Sequence, residues 1–380
     1  MNNIVVTTLE NICLQEKGAI ISGPFGSNIS SKFFVLTGVP VIRGNNLSLS
    51  YDKFFDDGFV FVTKEKAEEL KCYAYRGDMI FTAAGTIGQV GIIPNESKYE
   101  VYVISNKQIR ARIDTSKIDL LYAYYWFSSP WIQALLIKSN KGSTVPLLTL
   151  NEVRNLPISY PKDIYDQKRI AYCIETISKK IENNKKINDN LYHMAMTEYM
   201  HMFFNKTANS KFGNLIIEQP KSTIQVNQAK ETDGAIPFFT SGEAILTWPT
   251  SLVSGRNIFL NTGGNADVKF YVGDSAYSTD TWCITAKDEL TDYLYLFLQS
   301  IKLELNLKFF LGTGLKHLQK PILKERPIYL PTNDELKQFN NDVQPWLSMI
   351  SDNERESKSL ISLRNWLLPM LMNGQATIAD

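Results

Sequence analysis

The chain carries one segment twice. GSTVPLLTLNEVRNLPISYP (Gly142 to Pro161) lies without gaps over GTGLKHLQKPILKERPIYLP (Gly312 to Pro331) at an offset of 170 residues, pairing Gly142 with Gly312, Pro157 with Pro327, Ile158 with Ile328 and Pro161 with Pro331. An internal repeat constrains a fold more tightly than local propensity does, because each copy has to be a structural unit. The match continues upstream, where YAYYWF (Tyr122 to Phe127) falls on YLYLFL (Tyr293 to Leu298) and Val39-Pro40 falls on Ile236-Pro237. At 380 residues the chain exceeds what one core usually supports, and two copies of one unit account for that length.

Each copy then enters a helical pattern. With the offset slipped by one residue, Ile170, Ile177, Ile181 and Leu191 fall on Phe339, Trp346, Ile350 and Leu360, repeating spacings of seven and four. Each pattern lasts about forty residues, or roughly 60 Å at 1.5 Å per residue, which is long for a helix that only packs on a globule. An antiparallel pair or coiled coil is expected, with those eight residues as its apolar core. Asn184 falls on Asn353 at the phase of Ile177 and Trp346. An interior Asn sets the register of paired helices at some cost in stability; a solvated helical turn is the other reading.

Between these anchors, PVIRG, GDMIFTAAG, VGIIP, QIRARI and IPFFT read as short strands broken by Gly, Asn and Asp. The expected fold is α+β: two pseudo-symmetric units, mixed to mostly β, each followed by a long helix.

Composition removes other classes. Hydrophobic content of 44% with 21% charged residues is ordinary globular usage. Cys13, Cys72, Cys173 and Cys283 form no CxxC pair, so neither a disulfide framework nor a zinc site is suggested, and a reducing cytoplasm suits them. The start MNNIVVTTLE has no basic segment before an apolar one, and the richest apolar run, Leu120 to Phe127, is far too short to span a bilayer, so no membrane association is expected.

Signatures of chemistry are missing too. The chain contains no GxxxxGK[ST], no strand followed by GxGxxG, no GxSxG and no HExxH. Gly85, Gly88 and Gly91 read as a turn and strand entry more readily than as a phosphate nest. His193 and His201, eight apart on a helical pattern, read as structural. Asp78 with Glu96 and Lys98 loosely resembles the acid pair and lysine of a metal-dependent nuclease, the one catalytic alternative.

The net charge of +1 conceals segregation. Residues 101–150 hold six Lys and Arg against two acids, and residues 302–326 hold six against two, a local +4 in each copy; residues 51–100 hold six against nine. Basic excess therefore recurs just ahead of each helix. Two similar globules joined by long helices reproduce within one chain what dimeric DNA readers obtain by pairing subunits. Halves that share a framework and differ in loops would read two unlike half-sites, with the helices as the ruler. A repeat scaffold that binds proteins and no DNA is the alternative outside enzymes.

The chain resembles the specificity subunits of type I restriction-modification systems along essentially its whole length. GSTVPLLTLNEVRNLPISYPKDIYDQKRIA resembles the end of a target recognition domain entering a spacer helix, RGDMIFTAAGTIGQVGIIP a strand and turn that recur in those domains, and LLPMLMNGQ (Leu367 to Gln375) the close of the second spacer helix. The resemblance implies recognition domains over residues 8–165 and 211–333 and spacer helices over 166–205 and 334–372. It also implies a non-catalytic subunit that binds double-stranded DNA. Two modification subunits would dock on its helices, bring S-adenosylmethionine and methylate adenine. A restriction and motor subunit using ATP and Mg would complete the complex. This chain itself is expected to bind no cofactor or metal. The second domain departs from the pattern, being shorter and offering NIFLNTGGNADVKFYVGD where GDMIFTAAG would stand.

Candidate phosphate contacts are Lys138 and Lys141 in the first copy and Lys308 and Lys316 in the second, near glycine-bearing loops. Candidate base readers, chosen for paired hydrogen-bonding capacity, are Arg43, Asn45, Asn46, Asn106, Lys107 and Gln108, and in the second copy Gln228, Ser241, Arg256, Asn261, Asn265 and His317. Turn geometry is the competing role of the asparagines.

Overall fold

A computed structural model describes residues 4–138 and 147–378 and divides the chain into two compact units. The first comprises residues 1–180 with 360–380, the second residues 181–359. Lys141 and the segment Gly142 to Pro146 lie outside the described residues.

In chain order the first unit contains β1 (Ile4–Thr8), β2 (Ile20–Ser22), β3 (Val39–Ile42), β4 (Val60–Val62), β5 (Tyr73–Tyr75), β6 (Met79–Thr82), β7 (Val90–Ile92), β8 (Val101–Ile104), β9 (Gln108–Ala111) and β10 (Pro157–Pro161). Two four-stranded sheets result, ordered β2-β9-β6-β7 and β4-β3-β8-β5. Strand alternation explains their contact. On β6, Met79 and Phe81 join the core beneath the helix Leu120–Phe127, whereas Ile80 between them joins Val41, Val103 and Ile104 of the other sheet. Burial of both faces accounts for the unbroken apolar run MIF.

The second unit contains β11 (Ser210–Lys211), β12 (Ile216–Glu218), β13 (Ile236–Phe239), β14 (Ile245–Trp248), β15 (Arg256–Asn261), β16 (Val268–Val272), β17 (Ala276–Tyr277), β18 (Thr281–Ala286), β19 (Phe310–Leu311), β20 (His317–Leu318) and β21 (Pro327–Ile328). Its main sheet, β12-β18-β15-β16, has the order of β2-β9-β6-β7, and the divergent NIFLN occupies β15, the counterpart of β6. The smaller sheet, β14-β13-β17, pairs one neighbour antiparallel and one parallel, as β3 does with β4 and β8, but no described strand stands where β5 does. Part of the second unit's shortness lies there.

The repeated segment closes each unit. β10 pairs antiparallel with β1, setting Thr7 opposite Ile158, and β21 pairs antiparallel with β11, setting Ser210 opposite Ile328. Short helices at Leu150–Arg154 and Lys320–Lys324 precede these closing strands at the predicted offset. The Tyr122 hydroxyl donates to the Ser159 carbonyl at 2.9 Å, and the Tyr293 hydroxyl donates to the equivalent Tyr329 carbonyl. The aligned tyrosines are thus one latch, used twice.

The long helices run Ile164–Phe203 and Asn333–Met372 and pack antiparallel. In the second unit, Asn184 donates to Glu356 Oε2 at 2.8 Å and Ser357 Oγ at 3.2 Å, while Asn353 donates to Asn188 Oδ1 at 2.8 Å. Asn184 is therefore an interior polar position. The apolar seam is only partly the predicted one. Phe339 is fully buried, Trp346 and Ile350 pack against the same core and Ile170 against that of the first unit, but Ile177, Ile181, Leu191 and Leu360 are half-buried flanks. The buried line runs instead through Ala171 and Ile174 with Leu368, Leu371 and Met372 in the first unit. In the second it runs through Ala195, Tyr199 and Phe203 with Leu336, Phe339, Val343 and Leu347. These helices pack on the globules as well as on each other, which turns the buried face away from the simple isoleucine phase.

Candidate nucleic-acid interface

At one end of the sheets of the first unit, four loops converge: those after β2, after β3, between β6 and β7, and between β8 and β9. Backbone bonds tie them together. Gly23 N donates to Gln108 O at 2.8 Å, Ser105 N to Ile42 O at 3.0 Å and Ala83 N to Lys107 O at 2.7 Å. Gln89 reaches from the β6–β7 turn to the Gly44 and Leu47 carbonyls at 3.0 and 2.9 Å. Gly85 and Gly88 have φ of +91° and +98°, so AAGTIGQVG turns as expected of a strand connection. The second unit builds the same cluster, with Gln219 N donating to Cys283 O at 3.0 Å and Ser278 N to Phe239 O at 3.0 Å.

This framework divides the expected readers into two groups. Asn46 is 0% exposed; its amide donates to the Phe55 and Asp57 carbonyls at 3.0 and 2.8 Å, and its oxygen accepts from Arg43 N at 2.9 Å. Its bonding capacity is spent on the turn Gly44–Asn46. Gln108 is buried against Ser105, and Asn261 is buried with its amide on the Gly263 and Asn265 carbonyls and its oxygen accepting from Asp267 N. Gln228 caps its own short helix by accepting from Gln225 N at 2.8 Å.

Arg256 is the clearest correction. It donates to both Asp292 oxygens at 2.7 and 2.5 Å, to Ser348 Oγ at 2.9 Å and to the Gln344 carbonyl at 3.0 Å, and its guanidinium lies over the Phe270 ring. All three nitrogens of the fork are engaged inside the unit, so it has no paired set of donors to present to a base edge.

The exposed set is smaller. Asn45, Asn106 and Lys107 stand at the loop cluster of the first unit, with half-buried Arg43 beside them. Arg43 and Asn45 both donate to the Gly58 carbonyl, at 3.2 and 3.1 Å, so one donor group of each is committed. Lys138 is exposed at the end of the helix Pro130–Lys138. In the second unit Asn265 and His317 are exposed, with Ser241 and Lys316 half-buried. The Gly263–His317 bridge and a bond from Gly264 N to Lys316 O at 2.9 Å bring these last loops together.

The basic segments are less basic at the surface than their composition implies. Arg110 and Arg112 turn inward onto Asp78, at 3.6 and 3.4 Å. In the second unit Lys302 pairs with Asp267, Lys308 and Arg326 with Glu304, and Lys324 with Glu218. The candidate phosphate contact Lys316 and the candidate base reader Lys107 have no ion-pair partner among the described residues. Burial pushes the Asp78 carboxyl up while the two guanidiniums pull it down. Each Asp78 oxygen faces a guanidinium and one also accepts from Tyr75 N at 2.9 Å, and among the described residues no group of three His, Cys, Asp or Glu could hold a metal. Asp78 of the nuclease pattern is thereby accounted for as the centre of an internal ion pair.

The exposed residue that sequence reasoning missed is Phe25, 84% exposed after β2. Its only signal is a large apolar residue between Pro24 and Gly26, where chain reversal leaves no core to enter.

A protein of two sheet-and-loop units, each closed by one repeated strand and each packed with part of both long helices, is defined by these features. The family model for the type I restriction modification DNA specificity domain matches residues 5–193 and 210–342. The type I restriction enzyme MjaIX specificity subunit of Methanocaldococcus jannaschii is 23% identical over 400 residues, covering 93% of this chain and 91% of its own. A crystal structure of the type I restriction-modification S subunit from M. genitalium superposes with a TM-score of 0.63 at 12% identity, covering 97% of this chain and 96% of that one, and so shares the fold. The chain belongs to the type I restriction-modification specificity family, whose members are non-catalytic DNA-recognition components. No helix among the described residues is long and apolar enough to cross a membrane.

Proposed function

We propose that this subunit reads a bipartite, asymmetric DNA target, one half-site per unit, and that its long helices carry two modification subunits. The observation that carries the reading is a common loop framework with different exposed groups. The bonds from Ser105 N to Ile42 O and from Ser278 N to Phe239 O hold equivalent loops, yet the first loop exposes Asn106 and Lys107 and the second exposes Asp280. Framework sets position; the exposed side chains set which base edges are matched.

Exposed apolar groups along the helices, including Tyr165, Tyr172, Ile361 and Trp366, suit permanent docking of protein partners. In this reading S-adenosylmethionine is held by the modification subunits, ATP and Mg by a restriction subunit, and nothing by this chain. The complex works in the cytoplasm. Co-expression with the cognate modification subunit, followed by single-molecule sequencing of host DNA, tests it. A split motif with unlike halves and a fixed gap is expected; a stable complex that methylates no motif would favour a protein scaffold.

A further inference from the structure

The loops leaving β2 and its counterpart β12 open alike, on a proline, and differ in chemistry. Gly23 N donates to the carbonyl of Gln108, the first residue of β9, at 2.8 Å, and Gln219 N to the carbonyl of Cys283, the third residue of β18, at 3.0 Å. A proline follows in each, Pro24 and Pro220, and the next residue is Phe25 in the first unit and Lys221 in the second. Both are exposed, Phe25 to 84%.

The turn under Phe25 is clamped. A Cβ on Gly23 would stand 1.9 Å from the Ser105 carbonyl oxygen, so the strand exit fits against that loop only as glycine. A Cβ on Gly26 would stand 3.0 Å from Asn106 Nδ2, which sets the phenylalanine loop directly beside exposed Asn106 and Lys107. Asn28 N donates to Phe25 O at 2.8 Å, closing a tight turn. Phe25 makes no ring contact among the described residues. In the second unit the Tyr277 hydroxyl fixes Pro220 by donating to its carbonyl at 2.5 Å.

A phenyl ring held out on a rigid loop, next to an amide and an ammonium, is badly placed for water and well placed for a base step. Apolar wedges enter such steps by partial unstacking, and every base offers a π-face to an aromatic ring. An exposed lysine on the counterpart loop meets a backbone phosphate as a point charge. We propose that Phe25 is an apolar wedge against a base step of the half-site read by the first unit, and that Lys221 is a phosphate contact in the other. This rests on the DNA-recognition reading above. It makes the two halves of the target physically unlike, one engaged partly by stacking and the other by charge.

The test uses the complex of this chain with its cognate modification subunit and duplexes carrying the methylated motif, with 2-aminopurine replacing single adenines in either half. Phe25→Ala is expected to weaken binding about tenfold or more with the salt dependence unchanged, and to abolish a 2-aminopurine emission increase at one step of one half only. Phe25→Leu should retain part of the affinity. Lys221→Ala should lower the slope of log affinity against log salt by about 0.9, the value of one released counterion. Unchanged affinity and emission in Phe25→Ala would overturn the proposal. So would failure of that variant to assemble with the modification subunit, which would make Phe25 a protein contact. A wild-type complex that binds no DNA would instead overturn the recognition reading itself.

Discussion

Single residues show where chemistry visible in a sequence is diverted inward. Arg256 has the hydrogen-bonding fork that suits guanine, but Asp292, fully buried, lies 36 positions away and holds it. No local pattern announces that pairing, because a buried ion pair is a property of tertiary distance. Burial pushes the Asp292 carboxyl up and Arg256 pulls it back down. Asp292→Ala leaves the guanidinium without its counter-ion and is expected to destabilise the chain by about 3 kcal/mol. The double change Arg256→Met with Asp292→Leu should recover most of that loss, as read by urea unfolding.

Thr332 and Glu335 form a capping box at the start of the C-terminal helix. Glu335 accepts from Lys206 at 2.9 Å, from Thr332 N at 2.9 Å and from the Tyr329 hydroxyl at 2.8 Å. These partners, Lys206 foremost, hold its carboxyl down from 4.5 to about 2. A depressed carboxylate contributes stability that is complete above the unfolded value and lost as pH falls through the folded one. Unfolding midpoints should therefore drop between pH 4.5 and 2, and Glu335→Gln should flatten that part of the profile.

At the scale of elements, the long helices were readable in extent and only partly in phase. Apolar spacing placed both, and 40 residues each is what they measure. The phase failed at Ile177 and Leu191 because each helix serves a globule and a partner helix together, so small residues such as Ala171 and Ala195 take the inner line where the packing is closest. Asn184 was placed correctly by its phase, and it is 1% exposed with its Oδ1 left unpaired. An interior Asn with one unsatisfied atom favours specificity over stability. Asn184→Leu is expected to raise the unfolding temperature by a few degrees, for about 1 kcal/mol gained. The same change should broaden the population of helix registers, seen as lost hydrogen-exchange protection along the paired helices despite the higher unfolding temperature. A homogeneous, less stable variant would count against that role.

The repeat was legible across the whole molecule because each copy closes on its own opening strand, but sequence order does not follow the cooperative units. The first unit takes in residues 360–380, so the end of the chain is part of the core laid down by its beginning. Leu368 is fully buried there, with Leu371 and Met372 beside it against Tyr122, Val153 and Ile174. Arg169 donates to the Ile378 carbonyl at 2.7 Å, and the Arg364 guanidinium lies 4.3 Å from the Tyr51 ring centre. Repeat units that merely follow one another would lose only the second copy on C-terminal truncation. Here Leu368→Ala is expected to cost 2–5 kcal/mol, within the range for a buried leucine, and to do so in the N-terminal unit. Hydrogen exchange should show the loss of protection in β6 and β9 while β15 and β18 stay protected. A chain ending at residue 359 should expose residues 4–138 to protease before residues 210–330. Equal loss in both units would mean that the molecule unfolds as one cooperative body, and the order of protection would then be set by the paired helices.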